Sequence, residues 1–343
     1  MPQEEPVSSN TCANCGSTLN FAPAKTPLCE DCRNLFMKYP IPNWIKGFGV
    51  FIVAVLIFSM FSLSKNLQTG IHYKRGLIAA KSKNYFTAEK EFREVVTKEP
   101  SYKEAQSHLL IAAFYNDDLQ TMNNAFEKIK GEKFDQTDDL FNEVDMVLSK
   151  AVNCIPKDSF FVVMQKHSTD IDSIPEAEYI SYLGKNNPDL FAATAYAGLL
   201  QDGKRYRESD SLLSTILAIE PEYNRALSLK IPAKREQNQI DSAYYYIDQL
   251  LKINHEDIYA LSSKVKVLLK EKKDEEAFQL AKECLSMDSK NVYALGSMAL
   301  AYHFKNDAKD RDAVISTLSK DSTATGILTY VKDVISGKES FRN

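Results

Sequence analysis

A step of 34 residues constrains this chain more than any other feature. The segments DLFAATA (189–195), NRALSLK (224–230), IYALSSK (258–264) and VYALGSM (292–298) align through Ala192, Ala226, Ala260 and Ala294, each 34 after the last. Leu227, Leu261 and Leu295 keep the same step. A second series, Ser209, Ala243 and Ala277, runs half a period behind the first. Turn-forming pairs fall between the two series: Asp202-Gly203, Gln237-Asn238, Lys273-Asp274 and Asn306-Asp307. Small residues at a fixed half-period, separated by turns, predict two helices per unit that cross closely and stack on the next pair.

The pattern extends upstream. Gly76, Ala88, Phe92 and Pro100 stand at the spacing of a helix-A small residue, a helix-B alanine, a helix-B aromatic and a closing proline. On these residues the chain resembles the tetratricopeptide repeat (TPR) family. Pro221 closes another copy, whereas His255 and Ser289 stand where later prolines belong, and no helix A carries the family's tryptophan. Ala105 keeps the register, but an insertion near 131–139 breaks it. Leu140, Val144, Val147, Leu148 and Ala151 still form a helical stripe. Ser173 with Glu176 reads as a capping box, and Asn187-Pro188 as an N-cap with proline at the first helical position. Ile327, Leu328, Val331, Val334 and Ile335 predict a last helix ending at Gly337 and covering the exposed face of the final repeat. The fold class is therefore all-α, a TPR-like helical solenoid.

Ahead of the repeats lie two other modules. Cys12, Cys15, Cys29 and Cys32 follow C-x2-C-x13-C-x2-C. Two residues between cysteines let one tight turn aim both sulfurs at a point, and Gly16 permits the left-handed backbone such a turn needs. Four converging sulfurs suit tetrahedral Zn2+. Two disulfides and a redox dithiol are the competing readings. The four cysteines and Gly16 resemble a zinc ribbon over residues 10–34. In that reading the zinc is structural, because a module this small has no core without metal and no ligand position is left for a catalytic water.

Residues 48–63, FGVFIVAVLIFSMFSL, carry no charge. With Trp44 to Gly47 the run reaches 63 from 44, enough helix for a bilayer core. Trp44 and Lys46 suit one interface, Pro40 and Pro42 stop a helix from running back into the cysteine head, and Ser64, Lys65 and Asn66 end the span. Flanking cations number four on one side (Lys25, Arg33, Lys38, Lys46) and five on the other (Lys65, Lys74, Arg75, Lys81, Lys83), so charge does not orient the span. Zinc thiolates persist in a reducing cytosol. This places the N-terminus in the cytoplasm and the repeats in the periplasm. The opposite orientation stays open, since Cys154 and Cys284 give no sign of pairing. The expected organisation is a polar leader (1–9), zinc ribbon (10–34), linker (35–43), transmembrane helix (44–63), linker (64–70), one TPR-like repeat (71–102), degenerate helical repeats (103–187), four TPR-like repeats (188–321) and a capping helix with tail (322–343).

Function classes narrow accordingly. Five Lys/Arg against four Asp/Glu up to residue 65, and 37 against 42 beyond it, offer no basic field for nucleic acid. No cleavable signal peptide is visible. His72, His108, His167, His255 and His303 lack metal spacing, and there is no phosphate-cradling glycine loop or nucleophile elbow. Ser263-x-x-Lys266 falls inside a repeat helix without partner motifs. An enzyme is not expected. The TPR resemblance implies that helix A of each repeat lines a concave groove. It places Phe191, Arg225, Tyr259 and Tyr293 in one row and Gln201, Arg235, Lys266 and His303 in another. Rings beside cations would hold an extended peptide by its side chains and carboxylates. The Tyr244–Tyr246 triplet falls in a helix B and is expected between repeats. The expected function is a membrane-anchored protein–protein interaction scaffold. A transmembrane regulator signalling through the zinc head, or an accessory subunit of an envelope complex, are the alternatives.

Overall fold

The computed structural model describes residues 10–19, 27–37, 42–131, 139–185 and 188–342, with side chains omitted at Met37 and 60–66. The leader 1–9, Pro40 and the insertion 132–138 lie outside the described residues, as does Asn187. The chain divides into two compact units, 1–68 and 69–343.

In the first unit, Thr11 and Thr18 form an antiparallel bridge around the first cysteine hook. Gly16 turns it at φ +71°, with its N–H bonded to the Cys12 carbonyl at 2.9 Å. The second hook opens helix α1 (Glu30–Met37) instead of a second β-turn. Glu30 and Asp31 in its first turn favour that helix start. The head is thus half ribbon and half helix, and no β-sheet exists among the described residues.

Helix α2 (Asn43–Lys81) carries the apolar run. It does not stop at Ser64–Asn66, and the stretch expected as the linker 64–70 is helical. Lys65 and Asn66 are compatible with a helix, no proline lies in 64–70, and Gly70 is carried inside the helix. Among the described residues no helix is long and apolar enough to cross a membrane. Described side chains of the expected span stop at Ser59, so 60–63 lie outside that statement.

The second unit begins with the last part of α2, which pairs with α3 (Tyr85–Lys98). A Cβ on Gly76 would lie 2.6 Å from the fully buried Phe92 ring, which is why helix A is smallest there. Then come α4 (Lys103–Tyr115) and α5 (Leu119–Ile129), a second regular pair where the sequence had read degenerate. An irregular stretch follows: α6 (Asp139–Ala151), α7 (Asp158–Gln165) and α8 (Glu176–Leu183). Ser173 does not cap α8. Its hydroxyl donates to the carbonyls of His167 and Asp170, and Pro175 precedes the helix. Four pairs complete the stack: α9 (Leu190–Asp202) with α10 (Tyr206–Ile219), α11 (Asn224–Glu236) with α12 (Ile240–Ile253), α13 (Ile258–Lys270) with α14 (Asp274–Met287), and α15 (Val292–Phe304) with α16 (Ala308–Leu318). Asp189 caps α9, accepting from Ala192 N at 3.1 Å, and Pro188 lies before the helix and not at its first position. The last helix is α17 (Thr325–Ile335).

One backbone motif makes every A-to-B turn. Lys83, Asp117, Lys204, Asn238, Lys272 and Asn306 have φ of 55–64°. The following N–H returns to a carbonyl five residues back: Asn84 to Ala79 at 2.9 Å, Asp118 to Ala113 at 2.8 Å, Arg205 to Leu200 at 2.8 Å, Gln239 to Lys234 at 2.9 Å, Lys273 to Leu268 at 2.9 Å, Asp307 to Tyr302 at 3.0 Å. This left-handed C-terminal closure satisfies helix-end carbonyls. Helices α9, α11, α13, α15 and α17 contact one another in sequence, so the A helices form one continuous layer.

The stack also closes on itself. Near-complete burial holds Asn254, 1% exposed, at the junction of three segments. Its side-chain oxygen accepts from Tyr85 N at 3.2 Å, and its amide donates to the Tyr115 carbonyl and Asn116 Oδ1, both at 3.4 Å. Glu256 accepts from Thr87 N and Oγ1 at 2.8 Å each, and His255 N donates to the Lys83 carbonyl at 2.9 Å. Phe86 packs beside Ile258, Cys284 and Ala294. The first hairpin is thereby clasped to the loop between α12 and α13, some 169 residues away.

Candidate functional site: the concave cleft and the cysteine head

The A-helix layer walls a cleft of about 920 Å3. Thr194 and Gln201 of α9, Arg225 and Ser228 of α11, Tyr259 of α13 and Tyr293 of α15 line it. Helices A of four consecutive repeats thus share this cleft, where the TPR resemblance placed a groove. Tyr259 and Tyr293 meet edge to face at 4.9 Å, the favoured offset for ring quadrupoles. The Tyr259 hydroxyl donates to the Ser228 carbonyl at 3.2 Å, while Tyr293 stays 36% exposed. The Arg225 guanidinium lies 4.8 Å from the Phe191 ring centroid. Phe191 itself is 9% exposed and packs edge-on against Phe160 at 6.0 Å, so it does not line the cleft.

The second predicted row is not in the open cleft. Only Gln201 reaches it, and its amide donates to Ser209 Oγ at 3.0 Å and the Leu229 carbonyl at 2.8 Å, a bond between repeats. Arg235 is buried, donates to Glu236 at 2.7 Å and faces the Tyr330 ring of α17 at 5.8 Å. Lys266 is half-buried, 5.6 Å from the same ring. Burial and the Arg235 charge push its ammonium down to about 7. His303 stacks edge-on beside Phe304 at 4.9 Å, and burial with the Arg311 and Arg342 charges lowers its pKa. Arg235 and Lys266 are thus brought together with α17 over them.

Sequence reasoning missed the opposite wall. Phe86, Glu89, Lys90, Arg93 and Glu94 of α3 face the cleft because the clasp folds the first hairpin over it. Asn116, Asp117 and Asp118 come from the α4–α5 turn, and Asp257 and Asp288 from the loop ends before α13 and α15. Glu89 is buried between Asn116, which donates at 2.7 Å, and Arg93; burial raises its pKa against those bonds. Arg93 also reaches Asp118 at 3.2 Å and Thr121 at 2.8 Å. Burial pushes Asp257 up to about 6, with the Asp117 charge adding to the rise although Ala260 N donates to it at 2.8 Å. Asp117 opens to the cleft yet is hemmed by protein, and that desolvation raises its carboxyl too. No local signal marks these residues. They meet only through contacts far apart in sequence. The tyrosine triplet divides: Tyr244 donates to Glu271 at 2.6 Å, Tyr246 is half-buried, and Tyr245 is exposed.

In the head, the sulfurs of Cys12, Cys15, Cys29 and Cys32 all lie within 4.8 Å of one another. Tetrahedral zinc with Zn–S of about 2.3 Å sets sulfurs roughly 3.8 Å apart, so the four residues fit that ion. No disulfide joins any of the four. The Cys29 backbone N–H holds the Cys12 thiol down at about 6. Asn14 donates to Cys32 at 3.4 Å, but the Cys15 and Cys29 sulfurs and burial push that thiol up to about 12. Together, deprotonated, they could hold one metal ion. With four sulfur ligands, zinc here would hold the fold and leave no position for substrate.

No family model matches the chain, and no curated protein matches it. Among solved structures, a tetratricopeptide repeat protein from Parabacteroides merdae is 14% identical, with 78% of this chain and 86% of that one covered and a TM-score of 0.39. Yeast Tom70 is 14% identical, covering 79% and 64%, at 0.37. The TPR2AB domain of yeast Sti1 is 12% identical, covering 74% and 99%, at 0.28. Overlaps this loose carry no weight beyond themselves. The helix pairs and their recurrent turn define the class: an all-α, TPR-like helical solenoid behind a four-cysteine head.

Proposed function

We propose that this protein is a scaffold for protein–protein interaction, anchored in a membrane and binding a partner segment in its concave cleft. The cleft carries the reading: about 920 Å3, walled by A helices, with the exposed Tyr293, Tyr259 and Arg225 on one side and α3 on the other. An open groove of aromatic and charged side chains on a rigid stack suits an extended peptide.

Support for anchoring comes from α2. Phe48, Val50, Phe51, Val53, Leu56 and Phe58 are all more than half exposed, on every side of the helix, which water does not favour. Residues 43–59 alone make about 25 Å of helix, and the uncharged residues 60–63 follow in sequence. In this reading Cys12, Cys15, Cys29 and Cys32 hold a structural zinc in the cytoplasm, where thiolates stay reduced, and the repeats lie in the periplasm. Anchoring raises the local concentration of the cleft near membrane partners.

The test is co-purification. After a carbonate wash the chain stays with the membranes. From detergent it recovers a partner protein that Tyr259→Ala with Tyr293→Ala reduces at least ten-fold, with helical content unchanged by circular dichroism. Equal recovery by both forms contradicts the cleft as the binding surface.

A further inference from the structure

The cations expected to meet a partner's carboxylates are not in the open cleft. Arg235 and Lys266 face the Tyr330 ring of α17, with the Glu236 carboxylate beside them. The cleft itself is acidic. Among the described residues its walls bring the carboxylates of Glu89, Glu94, Asp117, Asp118, Asp257 and Asp288 against the cations Lys90, Arg93 and Arg225. Arg93 is taken by Glu89 and Asp118. Lys90 and Glu94 stand one turn apart on α3, both exposed, and offset each other. Asp117, Asp257 and Asp288 are left with Arg225. That guanidinium lies against the Phe191 ring and acts on Asp117 only at longer range, without an ion pair.

Two of these charges are not needed by the backbone that carries them. Asp117 makes the left-handed turn that Asn238 and Asn306 make in later repeats, and it is the one acid among the six A-to-B turn residues. Asp257 caps α13 by accepting from Ala260 N, and Asn291, 34 residues on, caps α15 by accepting from Ala294 N. An amide serves both places and escapes the cost of a hemmed-in charge. Burial raises both carboxyls. Burial, with the Asp117 and Asp257 charges, also raises the Tyr293 hydroxyl, so ring and carboxylates share one end of the cleft. Tyr293 is 36% exposed there. An open ring beside two carboxylates without an ion-pair partner is the complement of a guanidinium, which stacks on the one and pairs with the other. No three carboxylates of the cleft converge as ligands for a metal ion among the described residues.

We propose that the segment held in this cleft is cationic, with an arginine over the Tyr293 ring and against the Asp117 and Asp257 carboxylates. The charge is opposite to the one the predicted row of cations called for, because that row is covered and the acids of the second wall are not. The proposal rests on the reading of the cleft as a partner surface and names the partner's chemistry. Complementary charge sets which segments enter and excludes acidic ones.

The test uses the full chain in an uncharged detergent and fluorescence anisotropy. A labelled nonapeptide of alternating arginine and alanine binds and saturates, and its glutamate–alanine counterpart does not bind. Asp117→Asn with Asp257→Asn, which keeps the turn and the cap, weakens the arginine probe at least ten-fold with an unchanged melting temperature. Tyr293→Ala weakens it as well. Asp241→Asn with Glu283→Gln removes the same charge from exposed positions on α12 and α14 and leaves binding within about two-fold. The proposal is overturned if the arginine probe never binds, if the glutamate probe binds as tightly, or if the two pairs of substitutions have equal effects. Loss of the co-purified protein on the Tyr259 and Tyr293 substitutions but not on those of Asp117 and Asp257 keeps the cleft as the binding surface and overturns only its preference for a cation.

Discussion

Lys83, Asp117, Lys204, Asn238, Lys272 and Asn306 share a left-handed backbone that side-chain identity hardly advertises. Glycine or asparagine is the usual choice there, and only two of the six are asparagine. The period was legible in the small residues packed between helices, because Ala226, Ala260 and Ala294 are fully buried and tolerate nothing larger. It was not legible at 103–129, where large residues differ while the turn at Asp117 keeps the step. The cysteine pattern was legible for a different reason: four ligands must converge, and spacing alone fixes that. At this scale the expected result is about one zinc per chain by elemental analysis, lost on Cys12→Ser or Cys29→Ser. Chelation should leave the solenoid's melting temperature unchanged. A purified chain with six titratable thiols and no bound metal contradicts the metal reading.

Among elements, the clasp matters most. Asn254 and Glu256 supply bonds to Tyr85, Thr87, Tyr115 and Asn116, ordering the start of α3, whose own N-cap makes no side-chain bond. Asn254→Ala strands buried donors and acceptors at about 1–3 kcal/mol. The expected result is a melting temperature lower by several degrees, with faster amide exchange in 83–98 and unchanged exchange in 292–318. Uniform acceleration through the whole stack contradicts the clasp as a local latch. The continuity of α2 through 64–70 belongs here too. The polar residues there signalled the end of an apolar run, and that differs physically from the end of a helix. Backbone hydrogen bonds continue where no proline interrupts them, and α2 runs on through Gly70 and Gly76.

For the repeat unit as a whole, closure turns an open solenoid face into a cleft with two walls. One wall is built of A helices: of the row that the TPR resemblance named, Arg225, Tyr259 and Tyr293 line it and Phe191 does not. The other wall, and the covering of Arg235 and Lys266 by α17, arise from contacts between distant segments that a periodic pattern does not encode. Burial alone then decides which ring is offered: Phe191 is sealed against Phe160, and Tyr293 is open. The central claim is that partners engage the concave side. A photo-crosslinking residue at Tyr293, inside the cleft, and one at Tyr245, exposed on α12 at 57%, compare the two faces of one stack in intact cells. The account predicts a discrete crosslinked partner from position 293, abolished by Tyr259→Ala, and none from position 245. The same crosslink from both positions, or from 245 alone, contradicts it.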